Sequence, residues 1–76
     1  MSGPPRIWRT GERVRLSHEG RTVEGSIALA SENGVSLIVD FDDLFLGHLG
    51  GMALMWEGTV FRSFICGRLV TIEACP

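Results

Sequence analysis

The sequence predicts an all-β fold, a small antiparallel barrel of five or six strands that is closed or nearly closed. Hydrophobic and polar residues alternate at Arg13–Leu16 and at Val35–Phe41, which is the pattern of half-buried strands. Turn signals recur at Glu19-Gly20, Asn33-Gly34 and Glu57-Gly58, and no stretch has the 3.6-residue period of a helix. Short strands at this spacing are typical of a small barrel or sandwich.

Three strands are predicted in the first half of the chain. They are Arg13–Leu16, Thr22–Leu29 and Val35–Phe41. Alternation within the second strand places Leu29 in the core together with Val23 and Ile27. Gly25 interrupts that strand, which indicates a bulge or the close approach of a neighbouring backbone. Asn33-Gly34 then predicts a hairpin, because this pair accepts positive φ.

The second half of the chain is less regular. Asp42–Gly51 permits two interpretations, a short helix capped by its aspartates or an irregular loop that its three glycines favour. The remaining predicted strands are Met52–Trp56, Val60–Cys66 and Leu69–Glu73. We expect residues 1–5 to form a flexible Pro-rich tail and residues 6–76 to form one domain, because 76 residues enclose only one small core.

Composition and charge restrict the class of partner. The chain is 45% hydrophobic with a mean hydropathy of +0.21, which is unlike a disordered protein. All seven basic residues are arginines, and residues 23–60 carry six acidic residues and no basic one, so nucleic acid is not the expected partner. The apolar stretches are too short to span a bilayer and no N-terminal signal segment is visible, so we expect a cytoplasmic protein without a membrane contact.

The sequence contains no motif for catalysis or metal binding. There is no Gly-x-Ser-x-Gly elbow, no Cys–His pair and no phosphate-binding P-loop. His18 and His48 are thirty positions apart and lack the paired spacing of zinc ligands. We therefore predict a protein that is not an enzyme and that holds neither cofactor nor metal.

Several segments together resemble the PilZ domain family. Arg9–Arg13 has the pattern R-x-x-x-R, and Leu29–Val35 contains the serine and glycine of a [D/N]-x-S-x-x-G turn. Gly20–Gly25 and Gly67–Glu73 resemble strands of the same family, so the similarity extends over most of residues 6–73. The resemblance implies a six-stranded bacterial barrel that binds cyclic di-GMP.

The same resemblance implies roles for four residues. Arg9 and Arg13 would grip the phosphate and the guanine, and Ser31 and Gly34 would complete the turn that receives the ligand. Leu29 stands where the family has Asp or Asn, which removes one contact. The resemblance therefore fits either a regulator that binds cyclic di-GMP or a relative that no longer binds it.

A second interpretation needs no small ligand. The chain has more apolar groups, most of them between Leu44 and Trp56, than so small a core easily buries, and methionine and aromatic residues are enriched at adaptable interfaces. The predicted interface residues are Leu44, Phe45, Leu46, Leu49 and Met52, with Met55 and Trp8 in the same group. They predict a homodimer or a protein partner on a generic Src-homology-three-like barrel, and plain core packing is the alternative for the same residues.

Overall fold

The computed structural model describes residues 6–75, which form a closed antiparallel barrel of six strands. The strands are β1 (Arg13–His18), β2 (Arg21–Ala30), β3 (Ser36–Phe45), β4 (His48–Trp56), β5 (Phe61–Ser63) and β6 (Leu69–Ala74). Each strand pairs with the next, and β6 returns to pair with β1. The predicted all-β barrel is confirmed. The predicted flexible tail, residues 1–5, lies outside the described residues.

The core is one apolar cluster, which the inward-facing side chains of the strands form inside the barrel. Alternation places Val14 and Leu16 of β1 and Leu37 and Val39 of β3 in this cluster. Trp8, which precedes β1, is buried in it as well. Residues 6–75 contain no helix, and therefore no helix that is long and apolar enough to cross a membrane.

The ambiguous segment Asp42–Gly51 is neither a helix nor an irregular loop. β3 continues to Phe45, and β4 begins three residues later at His48. Leu46 and Gly47 have positive φ values of 52° and 79°, which produces the two-residue hairpin turn that matches the twist of the strands. The aspartates of this segment are exposed strand residues instead of helix caps.

Two features of β2 decide which side chains face outward. Gly25 lies opposite Phe41, and a Cβ at Gly25 would lie 2.1 Å from the carbonyl oxygen of Asp40, so the predicted close approach is confirmed. The prediction that Leu29 is a core residue is wrong. The register between β2 and β3 shifts between Ile27 and Leu29, and one extra residue turns Leu29 to the outer face.

β5 is shorter than the predicted strand Val60–Cys66. Only Phe61–Ser63 is extended, because the chain turns back immediately after it. The turn is closed by a hydrogen bond that Gly67 N donates to the carbonyl oxygen of Ser63 at 2.9 Å. A local turn, in which Glu57 N donates to the carbonyl oxygen of Val60 at 2.9 Å, precedes β5, so β5 pairs with β6 at two positions, Phe61 with Val70 and Arg62 with Leu69.

Candidate functional site

The structure gives the two arginines of the R-x-x-x-R motif different environments. Arg13 lies on the outer face of β1, where its Nη2 is 2.6 Å from Asp42 Oδ2 and 3.9 Å from Glu24 Oε1. The hydrogen bond and the charge of Asp42 raise the pKa of Arg13. Arg9 is exposed, and its side chain forms no ion pair within residues 6–75. A phosphate ligand would find Arg13 already paired with two carboxylates.

Ser31 and Gly34 belong to a turn whose polar groups are already paired. Ser31 Oγ donates to Asn33 Oδ1 at 2.8 Å and accepts from Ser36 N at 3.0 Å. Gly34 N donates to the carbonyl oxygen of Ser31 at 3.0 Å, with Gly34 at a φ of 76°. These bonds build the predicted hairpin and give both residues a structural role.

The turn and Arg13 do not share one surface. Arg13 lies opposite Ser26, five residues before Ser31 on β2, and five residues of strand span roughly 17 Å. The structure thus separates Arg13 from Ser31 and Gly34 along the barrel wall, and the sequence-based prediction of cyclic di-GMP binding needs a direct test.

Some of the predicted interface residues lie in the core and others on the surface, so the predicted set is partly wrong. Phe45 and Met52 are fully buried, because both point inward on β3 and β4, and Leu46 packs partly against the core. Leu44 is exposed, and Leu49 is 77% exposed near the turn between β3 and β4. Leu44 and Leu49 are thus the members of the set that a partner would reach most easily.

A row of apolar side chains that the sequence did not single out crosses the outer face of the barrel. Leu29 of β2 is paired with Ile38 of β3, and Ile38 is paired with Ala53 of β4. Phe64 continues the row, because its N donates to the carbonyl oxygen of Ala53 at 2.9 Å. We call these four residues the apolar row. Leu29, Ile38 and Phe64 are 59%, 40% and 75% exposed.

A shallow groove of about 430 Å³ runs along the apolar row. Its lining carries no charged side chain: Leu29, Ala30, Ser31, Ser36, Leu37, Ile38, Ala53, Leu54, Met55 and Phe64. Met55 is exposed beside the row, and Ser36 Oγ donates to its sulfur at 3.2 Å. Ile38 could have indicated this surface from the sequence, because it is an isoleucine on the polar face of a strand, between Ser36 and Asp40.

A second groove, of about 450 Å³, lies beside β6, next to the residues that precede β5. Trp56 and Phe61 form part of its wall, with their rings in edge-to-face contact at 5.1 Å. Arg6 lies over the Trp8 ring at 3.9 Å and is bound through two hydrogen bonds, 2.7 and 2.8 Å, to the carboxylate of Glu12. This groove is mainly apolar, with Arg6 and Glu73 as its charged lining residues.

The remaining polar clusters have structural explanations. His18 contacts the carbonyl oxygen of Leu69 through Nδ1 at 2.8 Å and Glu19 Oε2 through Nε2 at 2.9 Å. Burial raises the pKa of the Cys66 thiol, but its hydrogen bonds to Ser63 and the Arg68 backbone and the charge of Arg68 outweigh this and lower it. Among the described residues, no three His, Cys, Asp or Glu side chains cluster as metal ligands.

The groove along the apolar row and the groove beside β6 are both lined mainly by apolar groups. Both are apolar and open, and neither contains a nucleophile activated by a neighbouring base. Such surfaces bind other molecules through burial of apolar area. Comparison of the chain with protein-family models, with curated proteins and with solved structures finds no match.

Proposed function

We propose that this chain is a non-enzymatic interaction module that self-associates through the apolar row and the groove around it. The observation that carries the proposal is the row itself, which places three large exposed side chains side by side across four segments of the barrel wall. The largest contiguous apolar patch on a soluble protein is often functional, and a patch with a polar rim marks an interaction site.

The size of the surface suits a small interface. If a fully exposed large apolar side chain offers on the order of 150–200 Å², the row and Met55 present roughly 400 Å². This is within the range of about 300–600 Å² for the largest patch on a monomer, and it is half of the roughly 800 Å² that each partner buries in a standard interface. The polar rim around Ser31 and Ser36 supplies further contact area.

The chemistry of the surface favours a second copy over a charged partner. The groove has no charged lining residue, although 21% of the chain is charged, so it offers no ion pair to an acidic or a basic ligand. A second copy brings an equally uncharged surface. Two sheet faces related by a two-fold axis then pack with their apolar rows against each other, about 10 Å apart.

Sedimentation velocity of one substitution and a matched control tests the proposal. Ile38→Glu places a carboxylate at the centre of the row, where it is solvated in the monomer but buried without a partner in the dimer. We expect the wild type to sediment as a dimer at about 100 µM and Ile38→Glu to sediment as a folded monomer, with an affinity at least a hundredfold weaker, because the interface would contain two such charges.

Leu49→Glu is the control, because Leu49 is 77% exposed and lies outside the groove lining. This variant adds the same charge and should remain dimeric. A wild-type protein that stays monomeric at millimolar concentration would refute self-association. Equal weakening by both substitutions would show that the added charge, and not the apolar row, governs assembly.

A further inference from the structure

Within residues 6–75, the short β5 leaves part of the β6 backbone without a neighbouring strand on the side away from β1. Cys75 N donates to the carbonyl oxygen of Arg13 at 3.1 Å, so Cys75 is a hydrogen-bonded partner of β1. Such pairs alternate along an antiparallel ladder, and therefore Ile72 and Ala74 direct their N–H and C=O groups away from β1, toward β5. β5, however, pairs with β6 only as far as Val70.

The chain that precedes β5 does not fill this position. Thr59 would lie opposite Ile72 if the ladder continued, but the pairing with β6 starts only at Phe61, and Glu57 N donates to the carbonyl oxygen of Val60 in a local turn. Within residues 6–75, no strand pairs with Ile72 or Ala74 on this side. We call the gap between residues 59–61 and residues 71–74 the seam.

The seam combines an open strand edge with an apolar wall. The groove of about 450 Å³ described above lies along it and contains Trp56, Phe61 and Ile72. Ile72 packs partly against the core, so the side of the seam that faces the barrel is apolar. An extended peptide beside β6 would direct alternate side chains onto this apolar wall and the others into solvent.

The charged residues at the seam determine which outward-facing side chains a bound peptide should carry. Glu73 is exposed, and its contact with Arg15 Nη1 is long, at 3.7 Å; Arg15 also contacts Glu24, at 3.5 Å. Arg6, the other charged residue of the lining, is already neutralised by Glu12. Glu73 therefore gives the seam a negative edge. Antiparallel pairing of two copies about Glu73 would oppose two like charges, which disfavours a second copy here.

We infer that the seam is a site of β-strand addition for an extended basic peptide, in which apolar and Lys or Arg side chains alternate. The unpaired groups of Ile72 and Ala74 supply main-chain hydrogen bonds, the apolar wall receives every second side chain, and Glu73 meets a basic one. The site is separate from the apolar row and goes beyond self-association.

Nuclear magnetic resonance titration with the capped peptide acetyl-Arg-Val-Arg-Val-Arg-amide tests this site on the full chain. We expect saturable shifts and slowed hydrogen exchange at the amides of Ile72 and Ala74. The same peptide with N-methylated valines cannot donate to β6 and should bind at least tenfold more weakly. An Ala74→Pro protein removes one donor that faces the seam without removing a bond to β1, and it should weaken binding similarly.

Ala74→Val is the matched control, because it keeps the N–H group, and it should bind within threefold of the wild type. Glu73→Gln should weaken binding several-fold and reduce its dependence on salt. If Ala74→Pro fails to fold, the N-methylated peptide still decides the question. The inference would be overturned if the N-methylated peptide bound as tightly as the unmodified one, or if the peptide slowed hydrogen exchange at amides other than those of Ile72 and Ala74. It would also be overturned if no binding occurred at millimolar peptide. Ile38→Glu should bind the peptide normally, which separates this result from self-association.

Discussion

Gly25→Ala should strongly destabilise the barrel, because the added methyl group meets backbone. Its Cβ would lie 2.1 Å from the carbonyl oxygen of Asp40 and 2.8 Å from the Cα of Phe41. Ordinary contact begins at 3.4 Å, so β2 and β3 would have to separate by more than 1 Å at a point where the two strands are paired. Overpacking of this kind typically costs about 1–3 kcal/mol and more where the neighbours are rigid.

The effect is large relative to the total stability of a small domain. At about 0.05–0.15 kcal/mol per residue, 76 residues give a free energy of unfolding of roughly 4–11 kcal/mol. We expect Gly25→Ala to lower the free energy of unfolding in urea by about 3 kcal/mol, and the midpoint by at least 1 M at the usual slope of about 1–3 kcal/mol/M. Circular dichroism follows the transition.

Gly51→Ala is the control for this experiment. Its Cβ would lie 2.9 Å from Asp40 Oδ1, which is the end of a side chain and is free to rotate away. Since alanine also restricts the unfolded chain more than glycine, this variant should be neutral or more stable by about 0.5 kcal/mol. A Gly25→Ala midpoint as high as that of Gly51→Ala would refute the close approach of β2 and β3.

Three further outcomes are expected. Phe45→Ala should lower the free energy of unfolding by about 3–5 kcal/mol, because it empties a fully buried site, whereas Leu49→Ala should change it by less than about 0.5 kcal/mol; urea denaturation measures both. Cyclic di-GMP titrated to about 1 mM should give no saturable heat, because Arg13 is already paired with Asp42 and Ser31 with Asn33; heat that disappears in Arg9→Ala would reverse this conclusion. The lowered pKa of Cys66 means that its thiolate persists to lower pH, so alkylation by iodoacetamide should have its rate midpoint below that of an ordinary thiol. Arg68→Ala should move that midpoint upward, and a midpoint that stays in place would contradict the assigned cause.

The regular parts of the barrel were predictable from the sequence because burial follows the period-2 pattern there. Val14 and Leu16 alternate with polar residues and lie in the core, as do Leu37 and Val39. The Asn33-Gly34 hairpin was also predictable, because its turn chemistry is local. Where one face of a strand is buried and the register is unbroken, hydrophobic alternation alone identifies the side that faces the core.

The candidate surfaces were not predictable in the same way, because each arises where the regular pattern is interrupted. Without the shift between Ile27 and Leu29, the alternation of β2 would place Leu29 in the core, and the apolar row would lose its first member. With a β5 as long as β6, Thr59 would pair with Ile72 and the seam would close. A bulge adds one residue and a turn removes a few, and neither changes the average hydropathy of its strand. The apolar row and the seam are thus consequences of how the strands pair over long range. Mutations that shift the strand register are therefore expected to change binding at these two surfaces before they change the fold.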